Sequence, residues 1–492
     1  MKSRIILLAA TLAVLTGCSV GTKYSRPSAD APVSFRGAEA APEAGAVKAS
    51  AAELDWWKVY GDETLRGLIR AALENNYDVK IAAARVEEFR ANTGVSGTAR
   101  LPQVSAGFNA RSSRRLANQT GGNPETRDYK AAVDASYEVD LWGRLASLDE
   151  AARAGLLSTE YAAEGVRTAL VSDVATSYFD LLKFDRQLDI ARRTVKNREK
   201  FFDLTKSQYD RGAVSMLEVG RAASSLSQAK ATIPDLMRQV EQTENLLSTL
   251  LGKDPGPITR PGSEEAGMPE LPEVPAGLPS SLVERRPDIR QAEAGLMAAN
   301  ARVNATKALL YPAITLTGEL GIGSASLKSL FDGPSGIWSF AAGLIQPIID
   351  SERTGYQVDA AQARKDQATL QYYYTVQDAF RDVSDSLAAR RYYKELNDEL
   401  DLQVEELGSA TALAVMRFEA GYSSYFEVID AEDALFSSEL QRAQANRDAL
   451  VSVVRLYNAL GGGWDGKAGG KEATGGAGDV PAAYNAGQVG AP

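Results

Sequence analysis

A catalyst needs a nucleophile, a proton carrier or a metal cage, and this sequence is short of all three. Its 492 residues contain no histidine and one cysteine, Cys18. His-based triads, His-metal sites, disulfides and Cys-x-x-Cys redox chemistry are thereby excluded. Carboxylates are plentiful, yet none are paired at a recognisable acid-base spacing, and no nucleophile elbow or phosphate loop is present. The chain therefore reads as a non-enzyme with no metal and no dissociable cofactor. What remains is one thiol near the N-terminus, carboxylates that alternate with apolar residues, and carboxylates at helix starts. Those groups suit covalent lipid attachment, the lining of a wet surface and the capping of helices.

Cys18 closes the segment MKSRIILLAATLAVLTGC. Lys2 and Arg4 precede an apolar run from Ile5 to Leu15, the pattern of a secretory signal peptide over residues 1–17; the run is too short to span a bilayer as a helix. LTGC resembles a bacterial lipobox, in which the cysteine becomes the lipidated first residue of the mature protein. Ser19 follows rather than Asp, which in such lipoproteins favours delivery to the outer membrane. A lipid on Cys18 anchors a protein without building a channel. The net charge of −10 and the lack of a basic stripe exclude nucleic acid as a partner.

The stretch YKAAVDASYEVDLW, residues 129–142, changes character at every step. Tyr129, Ala131, Val133, Ala135, Tyr137, Val139 and Leu141 are apolar, whereas Lys130, Asp134, Ser136, Glu138 and Asp140 are polar. Such alternation predicts a β-strand with one face on an apolar medium and the other on water. A sandwich strand shows the same pattern. The length of the run and its aromatic ends at Tyr129 and Trp142 suit a bilayer with two interfaces. Three further runs alternate, at about 102–112, 313–323 and 336–349.

Helical periodicity fills most of the remainder. It covers Asp62 to Glu74 and Tyr77 to Arg100, where Pro102 stops it. From Gly143 to Asp210 there is no proline; Val166, Leu170, Val174, Ser177, Leu181, Phe184, Leu188, Ala191 and Val195 recur at spacings of three and four, one apolar stripe. At ~1.5 Å per residue, such a rod is on the order of 100 Å long. Gly212 suits the left-handed position after a helix, and Ser215 with Glu218 forms an S-x-x-E capping box, so a tight antiparallel hairpin spans 143–251. A second hairpin occupies 351–461. Residues 18–60 read as an extended arm, 253–280 as a Pro/Gly-rich linker and 465–492 as a disordered tail.

The two hairpin ends superpose without a gap at an offset of 209: Gly212 on Gly421, Ser215 on Ser424, Glu218 on Glu427 and Gly252 on Gly461. This marks a duplicated unit, 61–252 and 281–464, far longer than a solenoid repeat. Each half supplies two strands and a long helical hairpin. Four strands are too few to close a barrel, and lipid forbids unpaired strand edges. If the strands enter a membrane, several chains must share one barrel, with odd residues of 129–141 toward lipid and Asp134, Glu138 and Asp140 toward a wet lumen. The lumen then continues into a helical tube, a long conduit.

Four separated stretches carry a family resemblance. DWWKVYGDETLRGLIRAALENNYDVKIAAARV (55–86), VDLWGR (139–144), RRPDIRQAEAGLMAANARVNATKALLYPAITL (285–316) and LYNALGGGW (456–464) resemble the TolC-like outer membrane factors, in particular the OprM/NodT-type efflux lipoproteins. The resemblance implies a homotrimer with a 12-stranded outer-membrane β-barrel, an all-α periplasmic tunnel and an equatorial collar. It implies a periplasmic adaptor and an inner-membrane transporter of the resistance-nodulation-division type as partners, and a Gram-negative outer membrane as the location. A type I protein secretion duct is the alternative within transport, and a coiled-coil scaffold lipoprotein the alternative outside it. The family's gate aspartate falls on Asp430, with Phe426 one helical turn before it. Glu419 stands where relatives carry an arginine, and Arg221, at the equivalent of Asp430 in the first hairpin, is the candidate partner. Threefold symmetry would turn Phe426 and Asp430 into an apolar ring and a cation-binding carboxylate ring. Glu218 and Glu427 are weaker gate candidates, because S-x-x-E capping alone explains both. The tips around Gly212, Ser215, Gly421 and Ser424 are the expected adaptor contact, although the glycines equally serve the turns.

Overall fold

The structure, a computed structural model, describes residues 20–28, 35–36, 62–114, 125–261, 285–348 and 351–462. Cys18, the signal segment, most of the arm and linker, and the tail lie outside the described residues.

Among the described residues the first helices are α1 (Glu63–Asn75) and α2 (Tyr77–Thr98). Asp62 caps α1 by accepting from the Leu65 N–H at 3.1 Å, and Asn76 caps α2 by accepting from the N–H groups of Asp78 and Val79. Strands β1 (Gln103–Arg114) and β2 (Glu125–Val139) follow, then the rod α3 (Arg144–Asp210) and its return helix α4 (Met216–Leu250). The second half repeats this order with α5 (Pro287–Ala308), β3 (Ala313–Ser324), β4 (Gly336–Ile345), a second rod α6 (Ser351–Glu419) and its return helix α7 (Tyr425–Ala459).

The four strands form one antiparallel sheet in the order β1-β2-β3-β4. Its register sorts the side chains by type. Val133 opposes Ala106 on β1 and Leu320 on β3, and Leu320 in turn opposes Trp338. The face they share also carries Phe108, Tyr137, Leu316, Phe340 and Leu344, and it is open: Val133 is 46% exposed and Trp338 79%. The opposite face carries Asn109, Lys130, Asp134, Glu138, Thr317 and Glu319, with an ion pair between Lys130 and Glu319. An apolar face of this size left uncovered requires a nonaqueous environment or a partner.

Strand β2 begins earlier and ends sooner than its alternation suggests. Glu125 to Asp128 pair with Arg111 to Arg114 beyond the apolar band, so polar residues extend the ladder. At the other end Asp140 is no longer a strand residue: its two carboxylate oxygens accept from the N–H groups of Leu145 at 3.0 Å and Ala146 at 2.7 Å, capping α3. Asp140 is thus corrected from barrel wall to helix cap. The VDLWGR motif is this corner. Gly143 supplies a left-handed φ of 74°, Trp142 stacks on Tyr311 and donates to the Pro312 carbonyl at 2.9 Å, and Arg144 forks onto Glu138 at 2.7 and 2.8 Å. β4 ends at Ile345, short of 349, because Pro347 has no N–H for the ladder.

The helices build a wall one layer thick. α2, α3, α5 and α6 pack beside one another near the sheet, and α4, α3, α7 and α6 pack toward the far end. Where the half-length helices meet, the Asn76 side chain donates to the Leu250 carbonyl at 3.0 Å and Arg286 donates to that of Ala459 at 3.2 Å. The main apolar core lies at this mid-height, around Leu65, Ile69, Val174, Tyr178, Leu247, Ile289 and Val454. The stripe on α3 supplies Leu170, Val174 and Leu181 to it, while Leu188 and Ala191 further along are buried in a second cluster with Leu236, Phe436 and Ala443.

The turn glycines adopt the left-handed region in matching pairs, Gly212 and Gly421 with φ of 73° and 77°, Gly252 and Gly461 with 66° and 72°. Gly421→Ala meets open space, so only backbone strain opposes it, a loss of roughly 1–2 kcal/mol. Gly252→Ala would place Cβ 2.4 Å from the Asn75 carbonyl oxygen and should cost several-fold more. Amide exchange at the tip and at mid-height, compared between the two variants, checks the order.

Candidate functional site

The far ends of the two hairpins touch each other. In the first, Gly212 and Ala213 close the helix by donating to the Tyr209 and Gln208 carbonyls, and Ser215 starts α4 with its N–H donating to the Glu218 carboxylate at 2.6 Å. In the second, Gly421 and Tyr422 donate to the Phe418 and Arg417 carbonyls, and Ser424 starts α7. Glu427 closes no box with Ser424; its carboxylate lies 3.8 Å from Arg417 instead.

Arg221 on α4 reaches across to α7, with its guanidinium 5.0 Å from the centre of the Phe426 ring. It therefore engages Phe426 rather than Asp430, and no hydrogen bond or ion pair among the described residues joins it to Asp430. Phe426 is 54% exposed, and Asp430, Glu419 and Arg221 are exposed as well. Phe426 and Asp430 share one helix face, and Tyr425 and Val428 turn inward onto Phe201, Phe418 and Ala222. Aromatic rings 5.5 to 6.4 Å apart fasten the tip from behind.

Behind these rings lies a polar cluster that the sequence reading did not single out. Arg198 on α3, 1% exposed, donates to the Ser225 carbonyl on α4 at 2.8 Å and to the Asp433 carboxylate on α7 at 2.5 Å. Its Nε lies 4.0 Å from Glu432, and its guanidinium stands 5.5 Å from the centre of the Phe436 ring. Burial pushes the Glu432 carboxyl up to about 7; Arg198 pulls it down and Asp433 adds to the rise. Burial, with Glu432 beside it, also raises the Tyr425 phenol. A signal for this cluster was present. Arg198 falls three residues after Val195, on the continuation of the apolar stripe, where a charged residue must be paired or exposed.

Asp134 and Glu138 lie on the polar face of the sheet, and Asp140 caps α3 below it. Cys18 is outside the described residues, but Val20 donates to the Trp142 carbonyl at 3.2 Å, and Thr22 is held by Asn300 and Asn304 of α5 at 3.1 to 3.2 Å. The arm is thus pinned at the corner where the sheet meets the helices.

Known proteins share this architecture over nearly all of the chain. The family model described as outer membrane efflux protein matches residues 68–253 and again 278–462. The chain belongs to the outer membrane efflux protein family. It is 36% identical over 473 residues to the toluene efflux pump outer membrane protein TtgF of Pseudomonas putida, covering 94% of this chain and 98% of that protein. It is 33% identical over 455 residues to the cation efflux system protein CusC of Escherichia coli, covering 92% and 96%. The open-state MtrE outer membrane channel of Neisseria gonorrhoeae is similar in structure, with a TM-score of 0.80 at 31% identity over 91% of this chain and 98% of that one. The protein is an outer-membrane channel component for efflux, and its role is transport.

Proposed function

We propose that three copies complete one 12-stranded barrel, continue it as a 12-helix tunnel through the periplasm, and conduct small toxic molecules outward. The observation that carries this reading is the four-stranded sheet, with an apolar band across one face, Asp134, Glu138, Thr317 and Glu319 on the other, and open edges at β1 and β4. An open edge in hydrocarbon leaves each unpaired backbone group several kcal/mol short. Pairing β4 of one copy with β1 of the next removes every edge. The matching halves, read twice by one family model, support a duplicated unit as the reason for the six-fold repetition in such a wall.

At the tips, threefold symmetry brings Phe426 and Asp430 toward the axis as a gate, with Arg221 steadying the Phe426 ring and Glu419 as an added negative charge. Met216, Leu217 and Tyr422 are apolar and more than half exposed beside Gly212, Ser215, Gly421 and Ser424, a surface suited to a periplasmic adaptor. An inner-membrane transporter of the resistance-nodulation-division type would supply energy and cargo choice. Relatives whose names specify toluene and cations agree with a duct that leaves selection to its partner. A lipid on Cys18 would sit two residues from Val20, at the Trp142 corner.

The mass of the detergent-solubilised protein tests assembly: a monomer that needs no detergent overturns the barrel. Asp430→Ala is expected to raise the single-channel conductance of the reconstituted trimer severalfold and to weaken its preference for cations. Unchanged conductance and selectivity would remove Asp430 from the gate.

A further inference from the structure

Below the sheet, a cavity of about 400 Å³ opens between α2, α3 and α5; small-molecule sites occupy roughly 300–1,000 Å³. Leu157 and Met297 give it apolar walls, and Arg100, Asp149, Glu150 and Arg153 give it charge. Asp149 is 5% exposed. Its Oδ2 faces Arg153 at 3.1 Å and Arg100 at 3.7 Å, while its Oδ1 is buried without a partner among the described residues. Both guanidinium groups are about half exposed or more and keep donors to spare, and Glu150 is exposed. Two cations and two carboxylates leave the site neutral; with Asp149 held beneath both guanidinium groups, it presents their spare donors beside the exposed Glu150 carboxylate, the complement of a zwitterion.

The cavity faces away from the polar side of the sheet. Arg144 pairs with Glu138 on that side; at ~100° per residue, Asp149, Arg153 and Leu157 lie about 140°, 180° and 220° around α3 from Arg144. Met297 shares a stripe of α5 with Glu293, Asn300 and Asn304, which hold the arm that leads to Cys18. Asp149 stands about 8 Å along α3 below Arg144. The headgroup layer on each side of a bilayer is roughly 5–8 Å deep. The cavity thus meets the lower border of the membrane on its outer surface.

We propose that this cavity binds the headgroup of an aminophospholipid from the inner leaflet of the outer membrane, phosphate on Arg100 and Arg153, ammonium toward Glu150, and acyl chains rising along the apolar face of the sheet. Asp149 is a positioning residue, since it holds both guanidinium groups over the opening. The inference rests on this end of the wall standing against the membrane and is independent of the gate.

The test uses the full-length lipidated protein, delipidated in detergent and offered phosphatidylethanolamine, phosphatidylglycerol or inorganic phosphate, with bound lipid counted by native mass spectrometry. One phosphatidylethanolamine per chain is expected, held about tenfold more tightly than phosphatidylglycerol; the surface variants Arg153→Ala and Glu150→Gln should each lose about tenfold, the worth of one charge-assisted contact. Equal retention of both lipids, indifference to both variants, or displacement by inorganic phosphate, which would mark a simple anion site, overturns the proposal. The same spectra report the number of chains, so failure of assembly is read separately from failure of the cavity.

Discussion

Arg198→Ala is expected to loosen the tip more than any change at the exposed gate residues. The substitution leaves the buried Glu432 beside an empty space and the Ser225 carbonyl without its donor, and it frees Asp433, itself 44% exposed, to water. Breaking one partner out of a fully buried ion pair costs about 3–5 kcal/mol, and solvent at the half-exposed Asp433 holds this one to the lower end of that range. Amide protection over Val428 to Phe436 should fall on the order of a hundredfold or more, and reconstituted channels should open more readily, because Arg198 ties the first hairpin to α7 of the second. A triple variant, Arg198→Met with Glu432→Leu and Asp433→Leu, removes every charge at once and should recover most of the protection. If the triple variant is as loose as the single one, lost packing rather than a stranded charge is the cause, and the latch is misassigned.

The second large effect is a dependence on pH, and it comes from Glu432. In the packed tip its carboxyl is pushed up to about 7, mainly by burial, against an ordinary value of 4.5. The packed tip therefore holds a proton that an opened, solvated tip releases. Packing is fully favourable below pH 4.5, weakens as the pH rises through the interval, and above pH 7 has lost on the order of 3 kcal/mol. Arg198 and Asp433 are the charged groups facing it, and Tyr425 is the neighbouring phenol. Glu432→Gln should flatten the profile: exchange protection at the tip equal at pH 5 and pH 8, and at pH 8 greater than in the unaltered protein. A parallel decline in both proteins would place the titrating group elsewhere.

Periodicity made most of the architecture legible before any coordinates. Strands advertise themselves through alternation because lipid and water each act on every second residue, as at Tyr129 to Val139. The rods advertise themselves through stripes, and the turns through Gly212, Gly421 and the serines that follow. Interactions that depend on three-dimensional convergence left weaker traces. Asp140 continues the alternating pattern of the strand, but the first turn of α3 has open N–H groups that outcompete the ladder. The symmetry of the two hairpins points Arg221 toward Asp430; within the chain it stands over the ring of Phe426. Arg198 and Asp149 sit in helices among dozens of charged residues, and only burial distinguishes them.

The seam at mid-height governs how the two ends of the molecule communicate. Among the described residues only α3 and α6 cross that level unbroken; α4 and α7 stop there and abut the starts of α2 and α5 through side-chain-to-carbonyl contacts. Rotational phase between membrane and periplasmic extremity is consequently stored in two continuous rods per chain. Deleting a single residue from α3 would shorten it by ~1.5 Å and swing everything beyond by ~100°, throwing the extremity out of phase with the strands. A deletion near the start of α4 would be absorbed locally, leaving the strands undisturbed.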